Sequence, residues 1–203
     1  MNMPAVALRG LTILPGMIAH FDISRERSLR AVEEAMEQDQ KIYLVTQRNV
    51  NSEDPTQEDL YQMGIVADIK QVVRLQNDVV RILVDGISRA ALLGFTGNEK
   101  YLEAEICYCD SNADSLPEDL REAMLLGVRE AFHRYAAVVG KISKELIRQI
   151  DQYEDLEKLI DYVTNNLPVS YELKQQVLEA EDINDRYQVI VSLLPVSYTH
   201  LTL

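Results

Sequence analysis

Cysteine, histidine and basic charge are all scarce in this 203-residue sequence, and each shortage removes a class of function. The two cysteines, Cys107 and Cys109, stand at i and i+2. In a strand such neighbours point to opposite faces, so they are poorly placed to bond each other or share a metal. The histidines, His20, His133 and His200, are scattered. A structural zinc site needs four ligands at short, regular spacings, which this set does not offer. The expectation is therefore half-buried or buried thiols, no metal and no cofactor. Lys and Arg number 20 against 33 Asp and Glu, a formal charge of −13. Residues 1–100 hold 11 basic and 14 acidic side chains, and residues 101–203 hold 9 and 19. An acidic half of this kind repels phosphate backbones, so nucleic acid is not an expected partner.

Long apolar runs are missing too. None approaches the roughly 18 residues that would mark a membrane-spanning helix. The opening Met1-Asn2-Met3-Pro4-Ala5 lacks the basic, then apolar, layout of a secretory signal. The expected setting is the cytoplasm, away from membranes. At 47% hydrophobic and 26% charged residues, the composition is that of a globular protein with one large or two small domains.

Catalytic signatures fail on spacing. Gly140-Lys141 has half of a phosphate loop, but Tyr135 stands where the first glycine belongs and Ile142 where the hydroxyl belongs. A turn between two helices is the simpler reading. Ser143-Lys144 superficially echoes a Ser-Lys dyad, yet adjacent helical residues point about 100° apart. Asp151, Glu154, Asp155, Glu157 and Asp161 lack the glycine and ligand order of a calcium loop, and read as a solvated face near helix N-termini. No nucleophile, base and oxyanion site assemble, so the chain is not expected to be an enzyme.

What is present falls into two halves with different periods. Ala5 to Leu14 is an apolar run ending at the turn Leu14-Pro15-Gly16. Ser24 is placed to cap a helix to about Gln38, with Leu29, Val32 and Met36 inward. Lys41 to Gln47 reads as a strand buried on both faces, and polar residues 48–57 as a loop. Gly64 to Leu75 and Val79 to Ile87 form an expected antiparallel hairpin across Gln76-Asn77-Asp78. Leu102, Ala104 and Ile106 alternate with Glu103, Glu105 and Cys107 as in a half-exposed strand. Several strands with one helix suit a partly closed β-barrel or curled sheet. After the polar junction Asp110 to Pro117 the period becomes helical. Five short amphipathic helices are expected, with inner residues Leu120, Met124, Val128, Phe132 and Tyr135; Leu146, Ile147 and Ile150; Leu156, Leu159, Ile160 and Val163; Leu173, Val177 and Leu178; and Tyr187, Ile190, Val191 and Leu194. Helices this short need to pack as a bundle. The expected class is α+β, with a β-rich domain over 1–110, a linker over 111–117 and a helical bundle over 118–194.

Several strings in this order resemble the N-terminal domain of ATP-dependent Lon proteases. They are Leu8 to Met17 (LRGLTILPGM), Ser24 to Ser28 continuing to Ala35-Met36, Ile42 to Gln47, Asp59 to Ala67, Val80 to Ala90, Leu167-Pro168, Lys174 to Glu179, and Asn184-Asp185-Arg186. Each is short, but their order and spacing span about residues 5–194. Ala7, Gly10 and His20 depart from the usual family residues. The resemblance implies a PUA-like pseudo-barrel followed by a helical bundle, a region that recognises and holds unfolded or damaged protein substrates and contributes to a hexamer. It also implies that an AAA+ ATPase and a Ser-Lys peptidase module of the parent enzyme do the unfolding and cleavage. Other readings are a stand-alone adaptor of the same fold and a PUA-like ligand- or RNA-binding protein, the RNA version being disfavoured by the acidic charge.

Substrate capture calls for a partly exposed apolar patch with a polar rim. The candidate residues are Pro15, Met17, Ile18 and Phe21, which crowd the turn after the opening strand. The same four also suit ordinary core packing. At the other end, Pro195 is expected to interrupt the last helix, and Leu194 to Tyr198 repeats Leu167 to Tyr171. Residues 195–203 read as a non-native or disordered tail.

Overall fold

The computed structural model describes residues 1–110 and 112–196. It divides into two compact units, one over Met1–Cys109 and one beginning at Asp110. The class is α+β, as expected: among the described residues there are six strands in the first unit and five of the six α-helices in the second.

In the first unit the strands are β1 (Asn2–Leu8), β2 (Ile18–Ile23), β3 (Lys41–Thr46), β4 (Met63–Arg74), β5 (Val80–Phe95) and β6 (Glu103–Tyr108), with α1 (Glu26–Glu37) between β2 and β3. The sheet order is β2-β5-β4-β3-β1-β6, and β5 also pairs with β6. That last pairing closes β1, β3, β4, β5 and β6 into a ring, so a closed sheet replaces most free edges. Only β1 and β3 run parallel; the other pairs are antiparallel. The β4–β5 hairpin turns through Asn77 (φ 60°) and Asp78 (φ 57°), residue types that tolerate the left-handed region.

β5 runs well beyond the expected end at Ile87. One of its edges pairs with β4; on the other, Val80 to Asp85 pair with β2 and Ala90 to Phe95 with β6. Register shifts at Val66/Ala67, Ile69/Gln71 and Leu92/Gly94 supply the bends that closure requires. Alternation then splits the core. Val6, Leu8, Ile42, Leu44, Ile65 and Ile82 share one cluster with Ala31, Val32 and Ala35 of α1, and Ala5, Ala7, Tyr43, Val45, Val66 and Ala104 share the other. β3 is thus buried on both faces, as its composition predicts.

α1 differs from the sequence expectation in cap and face. Its N-cap is Arg25, not Ser24, and the Arg25 guanidinium reaches the Ala7 carbonyl (2.7 Å) and Gln47 (3.0 Å). The buried positions are Ser28, Ala31, Val32 and Ala35, while Met36 is exposed and Leu29 half-buried. Small side chains let the helix approach the sheet closely, which outweighs the apolar bulk that pointed to Leu29 and Met36. The opening apolar run is likewise divided. It is a strand only to Leu8, and Ile13 and Leu14 reach the core from an irregular segment.

The second unit contains α2 (Glu118–Val139), α3 (Lys144–Gln152), α4 (Leu156–Asn166), α5 (Tyr171–Glu179) and α6 (Ile183–Val196). Local chemistry sets the ends. Ser143, Asp155 and Ser170 accept from the backbone N–H groups of Leu146, Lys158 and Leu173. Gly140 closes α2 in the left-handed conformation (φ 68°), so Gly140-Lys141 is a helix end. Asn112 caps α6 from a distance, accepting from Ile183 N at 3.0 Å and donating to Asp182. The inner faces follow the expected pattern in part. Leu120 is exposed, Leu146, Ile147, Leu173, Tyr187 and Val191 are only half-buried, and Arg186 is buried where the inner face of α6 reads as apolar. Arg186 donates to the carbonyls of Ala180 (2.7 Å) and Glu181 (3.2 Å) and pairs with Glu157. α6 also continues through Pro195, where the sequence suggested an interruption. A proline here loses its N–H bond and crowds the Val191 carbonyl, but only Val196 of the helix follows it, so the disturbance is confined to the last turn. The remainder of the expected tail, 197–203, lies outside the described residues.

Two stability results should follow. A Cβ at Gly86 would press into the Leu14 carbonyl and lie 2.9 Å from Ile65 Cδ1, whereas at Gly94 the nearest group is Gln57 Oε1 at 3.7 Å. In urea unfolding, Gly86→Ala should lose about 1–3 kcal/mol and Gly94→Ala far less. Arg186→Ala should cost the helical unit about 3–5 kcal/mol, because it strands two carbonyls and a partly buried carboxylate.

Candidate functional site

The segment between β1 and β2 is folded against β5 by backbone bonds. Met17 N–H donates to the Leu14 carbonyl (3.1 Å), Gly16 N–H to the Gly86 carbonyl (2.8 Å), and Gly86 N–H to the Met17 carbonyl (3.0 Å). Gly16 adopts φ 72°, and Gly86 has no side chain to hold Leu14 away. Two glycines thus let an apolar turn lie directly on the sheet.

The four candidate residues separate at this turn. Pro15 is half-buried, and Met17 and Phe21 pack against the core cluster beneath β2. Ile18 alone projects, at 68% exposure. The cause is strand alternation: Ala19, Phe21 and Ile23 face the core, and Ile18, His20 and Asp22 face solvent. Treating 15–21 as one crowded loop obscured this, although the apolar residues at 19, 21 and 23 carry the period in the sequence. Ile87, not a candidate from the sequence, is 43% exposed and follows Gly86 beside the same turn. It falls at a register shift of the β4–β5 pairing, a feature without a sequence signal of its own.

The rim is polar and compensated. Asp22 stands opposite Arg81 in the β2–β5 register and accepts two bonds from it, at 2.7 and 2.9 Å. The Arg81 hydrogen bond holds the Asp22 carboxyl below the usual carboxylate range. Lys70 bonds Asp68 (3.3 Å) and approaches Asp85 (3.9 Å), and Lys41 bonds Asp68 (3.2 Å). Burial would raise the Asp68 carboxyl, but the two lysines outweigh it and lower it.

A second concavity in this unit, of about 880 Å³, is lined by Arg48, Gln57, Leu60, Tyr61, Gln62 and Leu92. Arg48 covers the Tyr61 ring at 4.8 Å and donates to the Leu60 carbonyl (3.0 Å), so its cation is already engaged. Of the five carboxylates singled out above in the helical unit, Asp151 meets His133 at 2.8 Å, Asp155 caps α4, and Glu157 pairs with Arg186; Asp161 is buried within α4, not on the solvated face expected of it. Ser143 is a helix cap and Lys144 is exposed.

Residues 2–195 match the family model described as the ATP-dependent protease La (LON) substrate-binding domain. The chain belongs to this family. It is 36% identical over 169 residues to a Lon protease of Lachnoclostridium phytofermentans and 35% identical over 169 residues to one of Clostridioides difficile. Those alignments cover 83% and 82% of this chain but 21% and 22% of the relatives, so the chain spans about a fifth of their length. In fold it is similar to the N-terminal domain of a Mycobacterium avium complex Lon protease, with a TM-score of 0.78 at 18% identity over 96% of this chain and 98% of that one. It is also similar to a Lon N-terminal domain protein from Xanthomonas campestris, with a TM-score of 0.64 at 12% identity over 95% and 98%. The resemblance seen in the short sequence strings is therefore correct for the Lon family, and the α+β fold is shared with solved Lon N-terminal domains.

The Asp22–Arg81 pair gives a pH test for this Lon-family domain. A carboxyl held below its ordinary 3.8 contributes stability above that pH and loses it as pH falls through the folded value. Titration of Asp22 followed by NMR should give a midpoint below 3.8, and Arg81→Gln should bring it back to about that value.

Proposed function

We propose that this chain recognises and holds unfolded or damaged protein segments for an ATP-dependent Lon-type protease. It contributes no catalytic residue of its own, and unfolding and peptide cleavage belong to other parts of the parent enzyme. The observation that carries the reading is the match of residues 2–195 to the substrate-binding domain of that protease. The physical support is an apolar turn with one freely projecting isoleucine, set among compensated charges. We assign docking to the surface around Pro15, Met17, Ile18 and Phe21, with Ile18 as the projecting group and Met17 and Phe21 as its base. Such a surface accepts apolar side chains with little demand on sequence.

Self-association through the parent hexamer, a cytoplasmic setting and the absence of nucleic-acid partners belong to the same proposal. The charge of −13 counts against RNA, and no helix among the described residues is long and apolar enough to cross a membrane. We also propose that the chain works as two domains, 1–110 and 118–194, joined through 111–117.

Capture of a reduced, carboxymethylated model protein by chemical crosslinking tests the reading. The wild-type chain should capture the unfolded protein and not its native form, and Ile18→Ser should reduce capture several-fold without loss of stability, since Ile18 is largely solvated. No capture at all would overturn the substrate-holding role. Capture undiminished by Ile18→Ser would overturn only the choice of surface.

A further inference from the structure

We infer that the open edge of β2 accepts an extended, uncharged segment of an unfolded protein as an added β-strand, an inference that rests on the substrate-holding role proposed above. Among the described residues β2 pairs with β5 alone and stands at the end of the strand order, whereas the other five strands close a ring. Its second edge is therefore a template of backbone donors and acceptors.

Register identifies those groups. The bond from Gly86 N–H to the Met17 carbonyl makes 17 and 86 a hydrogen-bonded position, and the pairing continues without a shift from Ile18↔Asp85 to Ile23↔Val80. In an antiparallel ladder, bonded and non-bonded positions alternate. Ala19, Phe21 and Ile23 therefore direct their backbone groups at β5, and Ile18, His20 and Asp22 direct theirs at the open edge. Three N–H and three C=O groups stand ready over a strand of six residues.

The devices that usually blunt an edge are weak here. β2 contains no proline, no lysine and no register shift. Its single carboxylate, Asp22, is neutralised by Arg81 on the neighbouring strand. In a chain of charge −13 the edge is thus a locally compensated window. Charge complementarity selects the occupant. Core segments of other proteins, exposed on unfolding, are poor in charge and rich in β-propensity, and they can approach without stripping water from an unpaired ion. A second copy of this chain fits less well: two-fold antiparallel pairing centred on His20 would set each Ile18 against an Asp22, between two molecules that both carry the same large negative charge. Backbone recognition of this kind reads conformation rather than sequence, which suits capture of unrelated proteins, and Ile18 adds an apolar contact at one end.

The probe is an eight-residue peptide of alternating valine and threonine with a terminal lysine at each end. A second peptide carries the same side chains but is N-methylated on its four central residues, which blocks its ability to act as a strand. With the 203-residue chain, the first peptide should bind and slow amide exchange at Ile18, His20 and Asp22 at least tenfold, as read by NMR. The methylated peptide should bind at least tenfold more weakly. His20→Pro, which removes an edge donor not used by the β5 ladder, should weaken the unmodified peptide by a similar factor. Equal binding of the two peptides, or slowed exchange only outside β2, overturns edge addition. If the carboxymethylated protein is still captured in that case, substrate holding stands and only its mode is rejected; if neither peptide nor unfolded protein binds, both fall. Slowed exchange at these amides without peptide, in a chain that sediments as a dimer, overturns the choice of occupant.

Discussion

The first unit depends on one long strand serving three partners. β5 gives one edge, from Val80 to Ala91, to β4 and divides the other between β2 and β6. A flat strand cannot do this, because β2 and β6 would then be collinear and the ring could not close. The bends are made by register shifts and by small residues. Gly86 lets the backbone at Leu14 lie on β5 just before the changeover, and Gly94 stands at the shift on the β6 side. Closure through β5–β6 leaves β2 as a flap on the outside of the ring. The open edge is therefore a geometric consequence of the barrel's closure.

The interior shows the same economy. Tyr43 is fully buried and donates to the Ala90 carbonyl at 3.0 Å, and burial pushes its phenol well above the ordinary range. Around it stand Ala5, Ala7, Ala90 and Ala104, and at Gly64 a Cβ would lie 2.5 Å from the Tyr43 oxygen. Small residues make room for the Tyr43 ring within a cluster completed by Met3, Leu92, Leu102 and Ile106, and its hydroxyl is satisfied by the strand that closes the barrel. The helical unit solves a comparable problem with charge. Buried Arg186 gathers the carbonyls of Ala180 and Glu181 at the start of α6, so that the α5–α6 connection is held by a cation.

These devices mark the limit of what the sequence reveals. The period of Lys41 to Gln47, the hairpin across Asn77-Asp78 and the change to helical spacing after Pro117 are local properties, and local chemistry expresses them directly. Gly140 and Ser143 could likewise be read as helix punctuation because a cap needs only its own neighbours. The extension of β5 to Phe95, the buried face of α1 and the inward Arg186 are set by partners distant in the chain. For α1 the misleading signal was bulk: Leu29 and Met36 are the larger apolar residues, yet Ala31 and Ala35 permit the close approach that decides the face. At the candidate site, composition pointed to the turn after β1 but not to the alternation that separates Ile18 from Met17 and Phe21.

That separation bears on how the proposed binding surface can coexist with a stable fold. Apolar residues that bind unrelated proteins are also those most easily lost to the interior or to self-association. Here β2 assigns the roles by parity. Ala19, Phe21 and Ile23 are committed to the core and fix the strand, which leaves Ile18, His20 and Asp22 outward without a further cost in packing. A single projecting isoleucine beside a salt-bridged aspartate is too small a patch to drive aggregation by apolar area alone, yet the backbone edge beneath it supplies directional contacts. The excess negative charge, concentrated after residue 100, opposes pairing between copies. In the proposed role, selectivity for foreign chains over its own would arise from short-range backbone attraction at a neutral edge combined with long-range repulsion between like-charged molecules.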